Sequence, residues 1–203
     1  MDQFDEAYPE LFESVRIAAE IGDLVTEAFT RRGLSRVYDQ QGRAQESYEY
    51  SKSSLALFEK IGDPLWIASG LNNVGWNAAH LGDHEYAKSC CERAFATYQQ
   101  HRPDDHSALG YLLDSLGYVA NRMGSYGDAI AYYERARAEY VIANNNYFDA
   151  DALEMLGNTY RALGQLDKAR KHWQQAWQIY REHKRSGPEQ RVQELLNEIP
   201  GDA

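Results

Sequence analysis

The sequence predicts an all-α fold: a right-handed superhelix of helix-turn-helix repeats closed by a C-terminal capping helix. Three observations carry the prediction. First, Leu71-Asn72-Asn73-Val74-Gly75, Leu113-Asp114-Ser115-Leu116-Gly117 and Leu153-Glu154-Met155-Leu156-Gly157 align without a gap. Each of those glycines is followed seven residues later by another, Gly82, Gly124 and Gly164, then by paired alanines, Ala87/Ala94, Ala129/Ala136 and Ala169/Ala176, and then by Tyr98, Tyr140 and Tyr180. Second, apolar residues within each unit fall at the three-to-four spacing of a buried helical stripe, as at Leu71, Val74, Ala78 and Leu81, and resume at Ala87, Cys91, Ala94, Phe95 and Tyr98 once Gly82-Asp83 has interrupted them. Third, no segment sustains the period-two alternation of a strand, and the chain has only five prolines.

Element by element, residues 1–22 correspond to the second helix of a unit whose first helix is absent, so the sequence is expected to be a segment of a longer protein. Residues 24–62 form a first unit, in which Ser35, Ser47 and Ser54 replace the glycine and alanines while keeping the small-residue rule. Ile21-Gly22-Asp23 and Ile61-Gly62-Asp63 repeat one tripeptide a period apart. Residues 63–102, 104–144 and 145–184 form the next three units, with two extra residues accommodated in the loop around His101-Arg102-Pro103-Asp104. Ser186-Gly187-Pro188-Glu189 resembles a capping box, and Val192, Leu195, Leu196 and Ile199 mark one apolar face, so residues 186–200 are expected to cover the flank of the last unit. Glycine inside a helix costs about 1 kcal/mol relative to alanine. Its use at Gly75, Gly117 and Gly157 is expected to permit close approach of a partner helix thinned by Ala87, Ala129 or Ala169.

Composition narrows function. With 43% apolar residues the chain has material for a core, and its net charge of −10 repels a phosphate backbone. The N-terminus is acidic without an apolar leader, and no stretch approaches the ~20 apolar residues of a membrane span, which points to the cytoplasm. Cys90 and Cys91 are adjacent and bridge only through a strained ring, so no disulfide is expected.

Two clusters invite a metal reading. His80 and His84 are four apart, but Gly82-Asp83 separates them, so they share no helical face, while Cys91 occupies the core row of Tyr133 and Trp173. In His101-Arg102-Pro103-Asp104-Asp105-His106 the acids are placed to cap the following helix. No nucleophile with a base and orienting acid is signalled, and no phosphate-binding glycine loop. Neither an enzymatic activity nor a cofactor or metal is expected.

A large apolar residue, Leu-Gly, a glycine seven later and two alanines seven apart together resemble the tetratricopeptide repeat over residues 24 to 184, in an extended form with units of about forty residues. The phrases LNNVGWNAAHLGDHEYAKSCCERA, DSLGYVANRMGSYGDAIAYYERA and LGNTYRALGQLDKARKHWQQAW resemble the C-terminal repeat region of actinobacterial antibiotic-regulatory activators of the SARP type. In that family the region follows a winged-helix DNA-binding domain and often an ATPase module. The resemblance implies a non-catalytic partner-binding role in regulating secondary metabolism. Alternatives are a receptor for a signalling peptide and a self-association scaffold.

Stacked hairpins line a concave groove with their first helices. By register the exposed row comprises Arg32, Arg36 and Gln40, then Asn72, Asn73, Trp76 and His80, then Tyr111, Asp114, Tyr118, Asn121 and Arg122, then Asp151, Glu154, Asn158 and Arg161. Aromatic rings supply apolar area at low entropic cost, Asn pairs with a bound backbone, and Arg with a carboxylate. Trp76 and Tyr118 serve either this groove or the packing between adjacent first helices. Some family members clamp a chaperone's terminal carboxylates with Lys and Asn in the first unit, Asn in the second, and Lys and Arg in the third. The matching places here hold Arg32, Arg36, Asn73, Tyr111 and Ser115, which disfavours a cochaperone.

Overall fold

The computed structural model describes residues 3–199, with side chains from residue 9 onward. Among these residues there are ten helices and no strand. They are α1 (Gln3–Ile21), α2 (Leu24–Gln40), α3 (Ala44–Ile61), α4 (Pro64–His80), α5 (His84–His101), α6 (His106–Arg122), α7 (Tyr126–Ile142), α8 (Asn146–Ala162), α9 (Leu166–Glu182) and α10 (Ser186–Glu198). The chain forms two compact units, Met1–His101 and Arg102–Ala203. Within each, sequential helices pack side by side, and the first helices touch one another directly, α2 against α4 and α6 against α8.

A turn recurs every twenty residues. Gly22, Gly42, Gly62, Gly82, Gly124 and Gly164 all take positive φ, and at the same place in the rhythm Asn144 and Lys184 do so with side chains attached. The residue after most of these reaches back into the preceding helix, as in Asp83 N to Ala78 O at 3.0 Å, Ser125 N to Ala120 O at 2.9 Å and Asn145 N to Tyr140 O at 2.8 Å. These bonds satisfy carbonyls that a helix end leaves without partners. The next helix is opened by a capping side chain where one is present: Asp23 accepts from Thr26 N, Asp63 from Leu65 N and Trp66 N, Asp105 from Ala108 N and Asn145 from Phe148 N. Of the two acids considered as caps before α6, Asp105 is the one used.

Close approach at the helical glycines has a more specific cause than thinned helices. A Cβ on Gly117 would lie 2.6 Å from Tyr133 Cε1, and one on Gly157 would overlap the Trp173 indole. At Gly75 it would lie 2.7 Å from Cys91 Sγ and 2.9 Å from Ala87 O. The glycine is therefore a slot for a large side chain from the second helix in the later pairs, and a true backbone contact only at Gly75. Ser35 fills the corresponding place in α2, with its hydroxyl 3.1 Å from Ser47 Oγ.

In the second unit the core runs through Tyr133, Leu153, Leu156, Trp173 and Tyr180 to Val192 and Ile199, so α10 covers the apolar flank of α9. In the first, Ala28, Leu57 and Phe58 gather Phe29, Trp66 and Ile67, with Phe29 edge-on to both Phe58 and Trp66 at 5.1 Å. No helix among the described residues is long and apolar enough to cross a membrane.

Candidate interaction surface

In the first unit the α2 and α4 faces meet over polar side chains. Asn73 Nδ2 donates to Ser35 Oγ at 3.2 Å, and Asn77 is buried with Nδ2 3.1 Å from the same hydroxyl while its Oδ1 accepts from Ser47 Oγ at 2.6 Å. Trp76 Nε1 donates to Asp39 Oδ2 at 3.3 Å, and His80 Nδ1 lies 3.0 Å from Asp39 Oδ1. Asp39 was not among the expected groove residues, yet it anchors both rings between α4 and α2. Trp76 therefore packs between first helices while keeping part of its surface exposed. Arg32 donates to Ser69 Oγ at 2.7 Å and lies over the Phe29 ring. Arg36 and Gln40 are exposed.

Burial overrides the register at two positions. Asn72 and Glu154, expected on the exposed row, are each only 2% exposed. Both lie three residues before a helical glycine, a place that faces the second helix of the pair. There Glu154 receives two bonds of 2.7 Å from Arg191 of α10, and the Tyr180 hydroxyl lies 2.8 Å from it and from Asp151. One phenolic proton thus lies between two carboxylates. Burial pushes the Asp151 pKa upward, partly offset by Tyr180 and Arg185.

Asp114 is the counterpart of Glu154 one period earlier, with Tyr140 as the counterpart of Tyr180. Tyr140 donates to Asp114 Oδ2 at 2.7 Å, but no arginine follows. Burial pushes the Asp114 carboxyl up to about 8, the Tyr140 bond opposing and the charges of Asp151 and Asp149 adding to the rise. The sequence held a signal for both pairs, an acid three before the glycine and a tyrosine twenty-three after it.

Around this centre Tyr111 is half-exposed, Tyr118 is partly buried, and Asn121 donates to Thr159 Oγ1 at 2.7 Å, fixing α6 to α8. Arg122 is exposed. Asn158 is partly buried, while Arg161 is exposed, donates to Glu198 of α10 at 3.1 Å and stands over the Trp173 ring. Arg161 therefore serves the cap as well as the surface. Arg185 stacks on Tyr147 and Tyr180 and pairs with Asp151 at 2.9 Å; it too was not foreseen.

Four of the residues that invited a metal reading have other surroundings. Cys90 and Cys91 are buried, and burial raises the Cys91 thiol to about 12, keeping it protonated. His80 faces Asp39, and His106 Nδ1 lies 2.7 Å from Glu139 Oε2 of α7. Among the described residues no three His, Cys, Asp or Glu side chains gather as a metal site would require.

Paired helices with a small-residue seam, a turn every twenty residues and a polar row on the first helices define a helical-repeat protein. The tetratricopeptide repeat family matches residues 66–140 and 109–182, more than half of the chain, and the chain belongs to that family. No curated protein sequence matches it. Among solved structures it is similar to BtubC from P. vanneervenii, with a TM-score of 0.69, 20% identity, and 98% of this chain and 77% of that one covered. It is also similar to a kinesin light chain-like repeat protein of Podosopora anserina, at 0.68 and 18% identity over 90% of this chain and 89% of that one. A third, a signal-transduction ATPase with a tetratricopeptide-repeat sensor from Pyrococcus horikoshii, gives 0.67 and 20% identity over 87% of this chain but 29% of the other. These identities show a shared fold.

Proposed function

We propose that this chain is a non-catalytic sensory and interaction segment of a cytoplasmic bacterial transcriptional activator of the SARP type. Its first-helix faces bind an extended segment of a partner or of the parent regulator. The carrying observation is the composition of those faces: exposed Arg36 beside half-buried Asn73 and Trp76 in one unit, and Tyr111, Tyr118 and Arg122 in the other. Rings with polar neighbours at helical spacing supply apolar area and backbone-pairing groups together. The three repeat phrases that resemble SARP-type activators support the regulatory context. So does the fold shared with a signal-transduction ATPase that carries a repeat sensor. Binding acts by shifting the regulator between restrained and active states, which requires unequal affinity for the two.

The test is recovery of the partner and reporter transcription with Arg36→Glu, alone and with Trp76→Ala. Arg36 is exposed, so the single substitution leaves the fold intact, and circular dichroism verifies the double variant. Loss of both partner and regulation is expected; unchanged recovery with both variants overturns the proposal.

A further inference from the structure

Among the described residues of the second unit, the three inward-facing acids of α8 are each paired with an arginine, whereas Asp114 of α6 is not. Arg137 pairs with Asp149 at 2.7 Å, Arg185 with Asp151 at 2.9 Å and Arg191 with Glu154 at 2.7 Å, while Glu139 of α7 lies 2.7 Å from His106 Nδ1. Among the described residues, Asp114 has only the Tyr140 hydroxyl, on Oδ2. Its Oδ1 is shielded from solvent and accepts no hydrogen bond, and Asn158 Oδ1 is in the same condition. A buried acceptor without a partner costs about 1–3 kcal/mol, more when charged, so such an atom in a folded protein calls for an explanation.

Of the groups acting on Asp114, the α8 carboxylates deepen the lack and the Tyr140 hydrogen bond relieves part of it. Asp149 and Asp151 come from α8 and Tyr140 from α7, whose Tyr133 is acted on in turn by Asp114 and by Tyr118 of α6. Nearby, Tyr111 and Phe148 rings lie 6.4 Å apart, and Phe148 stacks on Tyr140 at 5.6 Å. An acid bordered by aromatic faces and lacking a counter-ion has the chemistry of a receptor for an organic cation. Because Asp114 keeps part of its surface exposed while the oxygen is shielded, the complementary group is a charge at the end of a long apolar stem.

Building on the interaction reading above, we infer that Asp114 is the specificity-determining residue of the second unit. It receives a lysine or arginine side chain from a basic peptide segment laid along α6 and α8. A chain of net charge −10 attracts such a segment over distance, and Asp114 then fixes where it binds. Binding is coupled to a proton. Because the free carboxyl titrates at about 8, a cation that needs its charged form binds more tightly as pH rises toward and through that value.

The probes are three fluorescein-labelled twelve-residue Gly/Ser peptides carrying two arginines, two lysines or no charge, titrated into the full chain by anisotropy. Basic peptides are expected to bind in preference to the neutral one. Asp114→Asn, which keeps a partner for Tyr140, should weaken them about tenfold, as loss of one charge-assisted contact would. Asp167→Asn, on the exposed face of α9, should leave them unchanged. Affinity of the unmodified chain should rise between about pH 6 and pH 9, and that rise should be absent in Asp114→Asn. Equal weakening by both substitutions, no preference for basic peptides, or an unaltered pH profile in Asp114→Asn each overturns the inference. The broader interaction reading is decided separately, by partner recovery with the Arg36 variants in the other unit.

Discussion

At the scale of single residues, the glycines divide by what lies opposite them. Gly157 faces the Trp173 ring, and a methyl group there must displace a fully buried indole, whereas nothing lies within 4 Å of a Cβ on Gly127 in the first turn of α7. Gly157→Ala should therefore destabilise by about 1–3 kcal/mol, the usual cost of overpacking. Gly127→Ala should be neutral or stabilising by up to about 1 kcal/mol from helix propensity alone. Urea melts of the two variants check this, and a similar cost for both would remove the slot from the account. Asp114 has a signature of its own in stability. With its folded pKa raised from 3.8 to about 8, the native state binds more protons than the unfolded chain between those values, so its contribution to stability falls as pH rises across that window. Melting temperatures of Asp114→Asn and the parent chain should accordingly diverge in favour of the variant from pH 5 to pH 8. A constant difference would contradict the raised pKa.

At the scale of elements, the cap is held by more than apolar contact. Val192 is fully buried in the core of the second unit, and Arg191 clamps Glu154 through Nε and Nη2 while Arg161 reaches Glu198. Glu154 is 3% exposed at its side chain, so removing its cation strands a buried charge. Arg191→Met is expected to cost about 3 kcal/mol, the lower end for a broken buried pair because the arginine itself is half in solvent. Adding Glu154→Gln should return most of that loss. Amide exchange confined to α10 in the single variant would locate the effect, and protection equal to the parent's would refute it. The same pair shows where sequence reading stopped. The register placed Glu154 on the exposed row, whereas its position three before Gly157 faces α9, where Tyr180 meets it, and α10 adds Arg191 from thirty-seven residues away.

At the scale of the whole molecule, charge and family set the terms. The net charge of −10 on a chain of the tetratricopeptide repeat family opposes a phosphate backbone and favours cations, so the basic-peptide inference belongs at this level as much as at Asp114. Long-range attraction is screened over about 8 Å at physiological salt, whereas a contact shielded by protein is screened less. Salt should thus lower the affinity of the parent chain and of Asp114→Asn in parallel, leaving their ratio nearly constant. A ratio that collapses at high salt would make Asp114 one surface charge among many.

The sequence by itself determined the all-α class and the glycine turns, because small residues and apolar stripes at helical spacing act through local backbone geometry that any chain with that pattern must adopt. It also contained the acid and tyrosine spacing seen at Asp114 and Glu154. Only the tertiary structure decided which of those acids is neutralised, since Arg191 comes from a different helix thirty-seven residues away, and burial of a charge depends on everything packed around it rather than on its neighbours in sequence.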